Sequence, residues 1–254
     1  DYMCQVFGAD DGKIHGYPGH PEVELALVKL YRVTGKKEYL NLANDFVRMR
    51  GEKPCYFLSE DCIKNQNFIF PEFKDFDMDY TQAHLPMKEQ VTAEGHAVRA
   101  VYLYSAMADL AYEYQDEELL KQCDVIWKNI VDRRMYITGS IGSASYGERF
   151  TTDYDLPNNT NYSESCATIG LAMFSNRMFQ ITKDGKYADV VEQALYTFLL
   201  CKPIGSGSGN CGKESYHAPC ENHPPALVWC GLLPTEYCED AGISGRLCIC
   251  RRRQ

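Results

Sequence analysis

Residues 21–50 read PEVELALVKLYRVTGKKEYLNLANDFVRMR and contain two apolar faces separated by a glycine. In the first half, apolar residues recur every three or four positions from Val23 to Tyr31, after a proline that suits the first turn of a helix. Gly35 is the residue type that most often ends a helix in the left-handed conformation, and a second apolar face runs from Tyr39 to Val47. The stretch therefore predicts two antiparallel helices joined by a short turn.

The same unit recurs twice further along the chain. One predicted pair covers residues 93–114 and continues, after a polar turn at residues 115–116, into a helix with apolar residues from Leu119 to Ile130. The third pair covers residues 163–181 and 187–200. Unequal intervals between the turns argue against a short-period solenoid. Long, variable loops between hairpins instead favour an all-α toroid whose loops at one end build a site.

The composition changes near residue 200. Seven of the 12 cysteines lie after that point, and the net charge of −9 comes from the part before it. No helical or alternating pattern after residue 200 could bury a face. We therefore expect two units, a helical domain at residues 1–200 and an irregular, disordered tail at residues 201–254.

Length and charge exclude several classes of protein. A net charge of −9 over 254 residues argues against a nucleic-acid partner, because neutralising phosphates requires clustered Lys and Arg. No apolar run approaches the roughly 18 residues of a membrane span. No signal peptide is visible after Asp1, so we expect a cytoplasmic location and a missing N-terminal segment.

Two long loops carry the chemically interesting residues. Residues 134–162 are rich in Gly, Ser, Asn and Asp. Residues 51–92 are rich in aromatic residues, namely Phe68, Phe70, Phe73, Phe76 and Tyr80. Aromatic rings beside carboxylates are typical of sugar-binding sites. On composition alone, loops that are merely packed by their own side chains remain the alternative.

Six short motifs then stand out: GHPE (19–22), QAHLP (82–86), GHAVR (95–99), MYITG (135–139), DYDLPN (153–158) and ESCA (164–167). Together they resemble glycoside hydrolase family 127, the β-L-arabinofuranosidases, and the likeness extends from about residue 14 to residue 198. The resemblance implies an (α/α)6 toroid of helical hairpins in the complete catalytic domain. This chain would supply roughly half of the hairpins and would therefore form a partial (α/α)6 toroid. It also implies β-sandwich domains in the complete enzymes.

The resemblance further implies retaining glycoside hydrolysis with an unusual nucleophile, a cysteine thiolate held on zinc by a glutamate and three cysteines. Carried over by position, Glu148 matches the general acid/base, while Glu164 and Cys166 match two zinc ligands. His20 and His96 match the histidines that contact the sugar.

Each of these residues also has an ordinary structural interpretation. Cys166 opens an apolar helix and would usually belong to the core. His20 precedes Pro21 and could cap a helix, and His96 could be a satisfied helix histidine.

The sequence departs from the family where the nucleophile should be. The family's other zinc cysteines form a Cys-Cys-Pro-Pro-Asn motif that is absent here, and the tail's candidates lack the paired spacing of a zinc site: Cys211, His217, Cys220, His223, Cys248 and Cys250. One permitted codon choice for Val228–Cys238, read from the second base, encodes Phe-Gly-Ala-Ala-Cys-Cys-Pro-Pro-Asn-Ile. We therefore hypothesise a one-base shift of the reading frame near residues 196–201.

The expected function is that of the intact relative, a zinc-dependent retaining β-L-arabinofuranosidase acting on plant-type, arabinose-containing glycans. The chain itself, without the nucleophile, is expected to be inactive and poorly soluble. Two alternatives stay open: a toroidal carbohydrate epimerase or lyase, and a non-catalytic sugar-binding remnant.

Overall fold

The structure is a computed structural model, which describes residues 1–59 and 77–199. Within these residues the chain is helical, and β-structure is limited to isolated bridges. The helices are α1 (Tyr2–Val6), α2 (Val23–Thr34), α3 (Lys37–Met49), α4 (Ala97–Tyr114), α5 (Glu117–Asn129), α6 (Ser165–Thr182) and α7 (Gly185–Gln193). The predicted all-α class is confirmed.

The three predicted hairpins are present as α2–α3, α4–α5 and α6–α7. The first helix of each pair ends at a residue in the left-handed conformation: Gly35 (φ 70°), Gln115 (φ 54°) and Lys183 (φ 60°). The side chains of Asp116 and Asp184 then accept backbone N–H groups of the following helix. All three predicted turns therefore stop a helix, and the second and third also cap the helix that follows, whereas Lys36 makes no side-chain cap in the first.

One helix start was predicted wrongly. Helix α4 begins at Ala97 rather than at residue 93, because Gly95 (φ 72°) turns the chain against the preceding loop; a Cβ there would lie 2.2 Å from the carbonyl oxygen of Asp79. In the third hairpin, α7 ends at Gln193 and the chain continues as a π-helical turn over Ala194–Leu199, so the predicted helix extends as far as the described residues reach.

Helix α4 lies at the centre of the described residues and packs against α2, α3, α5 and α6. Its side chains Leu103, Tyr104 and Met107 are fully buried. The buried carboxylate of Asp109 also forms ion pairs with Arg32 of α2 (3.2 Å) and Arg177 of α6 (2.8 Å). The hairpins therefore share one core, which holds the N-terminal ends of their first helices in fixed relation.

Several predictions lie outside the described residues. They concern the tail at residues 201–254, with its candidate zinc residues, and the loop aromatics Phe68, Phe70, Phe73 and Phe76. In the part of the chain that is described, no helix combines the length and apolar character needed to cross a bilayer.

Candidate active site

The residues singled out from the sequence gather at the N-terminal ends of the first helices of the hairpins. His20 lies just before α2, and His96 is the N-cap of α4. Glu164 is the N-cap of α6, and Cys166 is the second residue of that helix. Because a helix N-terminus carries partial positive charge, this end of the molecule suits carboxylates and polar ligands.

Glu148 reaches the same place from the loop between α5 and α6. Isolated bridges pair Arg149 with both His96 and Ala144, and the N–H of Phe150 donates to the carbonyl of Gly95 (2.9 Å). These backbone contacts lay the loop beside the start of α4. Glu148 therefore lies next to His96 although it belongs to an irregular segment.

The Glu148 carboxylate accepts hydrogen bonds on both oxygens. Nδ1 of His96 accepts the backbone N–H of Arg99 (3.2 Å), so the ring proton of the neutral histidine is on Nε2. That Nε2–H donates to Oε2 of Glu148 at 3.1 Å, and the Tyr162 hydroxyl donates to Oε1 at 2.5 Å. With 40% of its side-chain surface exposed, Glu148 is held in one orientation yet remains open to a substrate.

Both histidines are neutral at physiological pH. Burial lowers the pKa of His96 to about 4, although its hydrogen bond with Glu148 acts in the opposite direction. Burial also lowers the pKa of His20, and the positive charge of Arg99 adds to this effect. Neutral imidazoles can exchange hydrogen bonds with sugar hydroxyls without attracting a counter-ion.

Aromatic rings form the walls around these groups. The ring of His20 lies 6.1 Å from that of His96 and 5.9 Å from that of Tyr102. The Tyr80 ring lies 5.7 Å from His96 and is covered on a face by the Arg99 guanidinium at 4.8 Å. The sequence prediction that Tyr80 belongs to a site of aromatic rings and carboxylates agrees with this arrangement.

Glu164 is the second carboxylate of the cluster. Its Oε2 lies 3.9 Å from Nε2 of His96, and donor atoms of His96, Glu148 and Glu164 all lie within 4.8 Å of one another. Cys166 is exposed, so the interpretation as a core cysteine is wrong. The capping interpretation of His20 is also wrong, because Glu22 occupies the N-cap position of α2.

The structure thus brings His20, His96, Glu148 and Glu164 together and places Cys166 on the same helix end. Sequence reasoning missed Tyr102 and Tyr162. Tyr102 lies three residues after Arg99 of the GHAVR motif on α4, so helical spacing could have placed it on the same face as that motif residue. Tyr162 follows an irregular loop, where no periodic signal exists.

Comparisons with known proteins show which sequences and structures the chain resembles. Residues 1–236 match the family model described as "Beta-L-arabinofuranosidase, GH127 catalytic domain". A non-reducing end β-L-arabinofuranosidase of Bifidobacterium longum subsp. longum is 45% identical over 217 residues, which are 85% of this chain and 32% of that protein.

Solved structures give the same result. A GH127 β-L-arabinofuranosidase from Geobacillus stearothermophilus T6 superimposes with a TM-score of 0.73 and is 50% identical, over 78% of this chain and 31% of that one. A GH127 β-arabinofuranosidase gives a TM-score of 0.68 at 41% identity, over 79% of this chain and 28% of that one. The chain spans about a third of the length of these relatives.

Proposed function

Since the chain belongs to the GH127 family of β-L-arabinofuranosidases, we propose that it functions as part of an enzyme that hydrolyses β-L-arabinofuranosides in plant-type glycans with retention of anomeric configuration. The observation that carries the proposal is the Glu148 carboxyl group, held on both oxygens by His96 and Tyr162 beside aromatic rings. A single oriented carboxyl group beside sugar-sized ring surfaces suits acid/base work on a glycosidic bond.

Glu148 would handle the proton in both halves of the reaction. In the first half its carboxyl group protonates the departing glycosidic oxygen and becomes a carboxylate. The Nε2–H of His96 and the hydroxyl of Tyr162 stabilise that carboxylate by donating to its two oxygens. In the second half the carboxylate takes a proton from the attacking water, which restores the acid.

The walls of the site would bind the furanose ring. The rings of Tyr80 and Tyr102 offer apolar edges and faces to C–H groups, as aromatic residues do in sugar sites. His20 is neutral and can exchange hydrogen bonds with ring hydroxyls. Both ring nitrogens of His96 are engaged by Arg99 and Glu148, so His96 would meet the sugar through the carbon edge of its ring. Selectivity for one sugar follows from hydroxyls that satisfy these polar atoms, because an unsatisfied buried polar group is costly.

Glu164 and Cys166 would hold the zinc ion that the family resemblance implies. A carboxylate and an exposed thiol two residues apart at a helix N-terminus are donors that zinc accepts, so the residues present fit the metal. When bound, zinc supplies stabilisation of cysteine thiolate at neutral pH. Glu148 is engaged by His96 and Tyr162, so we assign it to proton transfer rather than to the metal.

The nucleophile would come from the reading frame that lies one base away from the printed tail. In that frame one codon choice for Val228–Cys238 encodes adjacent cysteines followed by Pro-Pro-Asn. The test is the DNA sequence of codons 195–240. Codons other than CTG or TTG at Leu232 or Leu233 would contradict the shift. If the shift is real, the chain as printed would bind the sugar without cleaving it.

The function is tested with the gene product in its restored frame. We expect it to release L-arabinose from an aryl β-L-arabinofuranoside and to hold one zinc ion per chain. The Glu148→Gln variant should lose activity about 100-fold or more, since general acid–base catalysis contributes on that scale. Isomerised product from free L-arabinose would instead favour an epimerase, and sugar binding without turnover or metal would favour a binding remnant.

A further inference from the structure

Glu24 and Arg50 form an ion pair in which both side chains are fully excluded from solvent. Oε1 of Glu24, in the first turn of α2, lies 3.5 Å from Nη2 of Arg50, which follows α3. Burial raises the pKa of Glu24 against the opposing charge of Arg50. Such a pair is a weak source of stability, because removing two charges from water costs about as much as their attraction returns.

The guanidinium of Arg50 makes two further contacts that an apolar replacement could not make. Nη2 donates to the carbonyl of Pro18 at 2.7 Å, and Nη1 donates to the carbonyl of Thr81 at 2.9 Å. Its Cζ also lies 4.6 Å from the centre of the Tyr17 ring. One planar group therefore joins two loops that are more than 60 residues apart in sequence.

Both loops lead directly into the sugar-binding walls. Pro18 lies two residues before His20, and Thr81 immediately follows Tyr80. The residue after Thr81, Gln82, is itself buried and donates from Nε2 to the carbonyls of Glu94 (2.9 Å) and His96 (3.5 Å). A displacement at Thr81 would therefore reach His96 as well as Tyr80.

We propose that Glu24 and Arg50 are positioning residues, which hold the loop of His20 and the loop of Tyr80 at the separation that fits an L-arabinofuranosyl ring. This inference rests on the proposed function for the identity of the sugar. Glu24 orients the guanidinium, and the guanidinium fixes the two carbonyls. Neither residue contacts the sugar.

The test uses Arg50→Lys in the full chain, because lysine keeps the charge but lacks the planar fork that reaches both carbonyls. Glu24→Gln is the second variant, since it keeps the side-chain shape and removes only the charge. The matched control is Asp109→Asn, which breaks the ion pairs with Arg32 and Arg177 in the core away from the site. Methyl β-L-arabinofuranoside, which is fixed in the furanose form, is titrated into chain carrying ¹³C-labelled histidine, and the ring signals of His20 and His96 are followed by NMR.

In the unmodified chain we expect a nuclear Overhauser cross-peak between ring protons of His20 and Tyr102. The His20 signals are assigned by their disappearance in the His20→Gln variant. Arg50→Lys and Glu24→Gln should weaken or remove that cross-peak and weaken the binding of methyl β-L-arabinofuranoside about tenfold, the equivalent of one lost charge-assisted hydrogen bond. Asp109→Asn should change the cross-peak intensity and the sugar affinity less than twofold, even where its loss of thermal stability equals that of the two test variants.

Unchanged cross-peaks in both variants would overturn the positioning role, and so would a control that loses the cross-peak to the same extent. An unmodified chain that shows the cross-peak but does not bind methyl β-L-arabinofuranoside would contradict the proposed function instead. In that outcome the effect of Arg50→Lys on the cross-peak still decides the positioning role.

Discussion

Nε2 of His96 lies 3.1 Å from Oε2 of Glu148, although the two residues are 52 positions apart in the chain. The other ring nitrogen of His96 caps α4 by accepting the N–H of Arg99. Capping therefore determines which nitrogen carries the proton, and that proton points at the carboxylate. The start of a helix and the orientation of an acid/base group depend here on one imidazole ring.

Tyr162→Phe is the sharpest test of the second donor to Glu148. The variant keeps the ring and removes the hydroxyl that donates to Oε1 at 2.5 Å. In the gene product with restored frame we expect kcat/KM to fall about tenfold for substrates with poor leaving groups. The loss should be smaller for a 4-nitrophenyl leaving group, which departs with less help from a proton.

The matched control for that variant is Tyr114→Phe. Tyr114 lies at the far end of α4 and donates to Oδ1 of Asn41 at 2.9 Å, away from the site. We expect its kinetic constants to equal those of the unmodified enzyme. Equal losses for both leaving groups in Tyr162→Phe would indicate that the hydroxyl supports folding rather than the orientation of Glu148.

The hairpins could be predicted from sequence because their determinants are local. Gly35 stops α2, and Asp116 and Asp184 cap the helices that follow them. The position of Glu148 could not be predicted in this way, since it depends on backbone bridges between residues far apart in the chain. Arg50 was missed for a related reason: a charged residue at a helix end is usually exposed, and only the assembled loops provide its partners.

The family resemblance supplied what local patterns could not. Without it, Glu148 is one carboxylate among many in a polar loop, and nothing in the sequence separates it from its neighbours. Tyr162 escaped both kinds of reasoning because it belongs to none of the recognised motifs.

The loop that carries Glu148 is expected to lose stability in acid. Burial alone would raise the pKa of Asp153, but hydrogen bonds from Arg133, Arg134 and Asn129 lower it to about 2. Its ordinary value is about 3.9. A carboxylate with a lowered folded-state pKa stabilises the protein above the ordinary pKa, and this contribution is lost as the pH falls from about 4 to about 2.

Asp153→Asn tests that expectation. At pH 7 the variant should unfold with a free energy on the order of 1 kcal/mol lower, a modest value because the ion pairs are partly open to solvent. In urea titrations the difference from the unmodified chain should shrink as the pH approaches 2. The control Asp155→Asn changes an exposed carboxylate of the same loop and should leave the free energy of unfolding at pH 7 nearly unchanged.

A buried hydrogen bond between α5 and α6 gives a stability prediction independent of the site. The indole N–H of Trp127 donates to the hydroxyl of Ser175 at 2.9 Å, and both residues are buried. Ser175→Ala leaves the indole donor without an acceptor, which should cost about 2 kcal/mol in thermal or urea unfolding.

Ser105→Ala is the same substitution at another fully buried serine. The Ser105 hydroxyl donates to the carbonyl of Val101 within its own helix (2.8 Å), and that carbonyl lies on the helix ladder. Removal of the Ser105 hydroxyl should lower the free energy of unfolding by less than about 1 kcal/mol. Equal effects of the two variants would show that cavity formation, rather than the orphaned indole, determines the loss.

At Gly170, α6 packs directly against α4. A Cβ at this position would lie 2.3 Å from Cγ2 of Val101 and 3.3 Å from the ring of Tyr102. Val101 is fully buried, so the helices must separate to admit the methyl group, and Gly170→Ala should destabilise the fold by about 2 kcal/mol. Gly185→Ala, at the start of α7, meets nothing within 4 Å and should leave stability unchanged or raise it slightly. Thermal unfolding of the two variants side by side separates crowding from the general effect of replacing glycine.

Because Tyr102 also packs against His20, Gly170→Ala should perturb the NMR signal of the His20 ring. A destabilised variant whose His20 signal is unchanged would contradict this link between the helix crossing and the site.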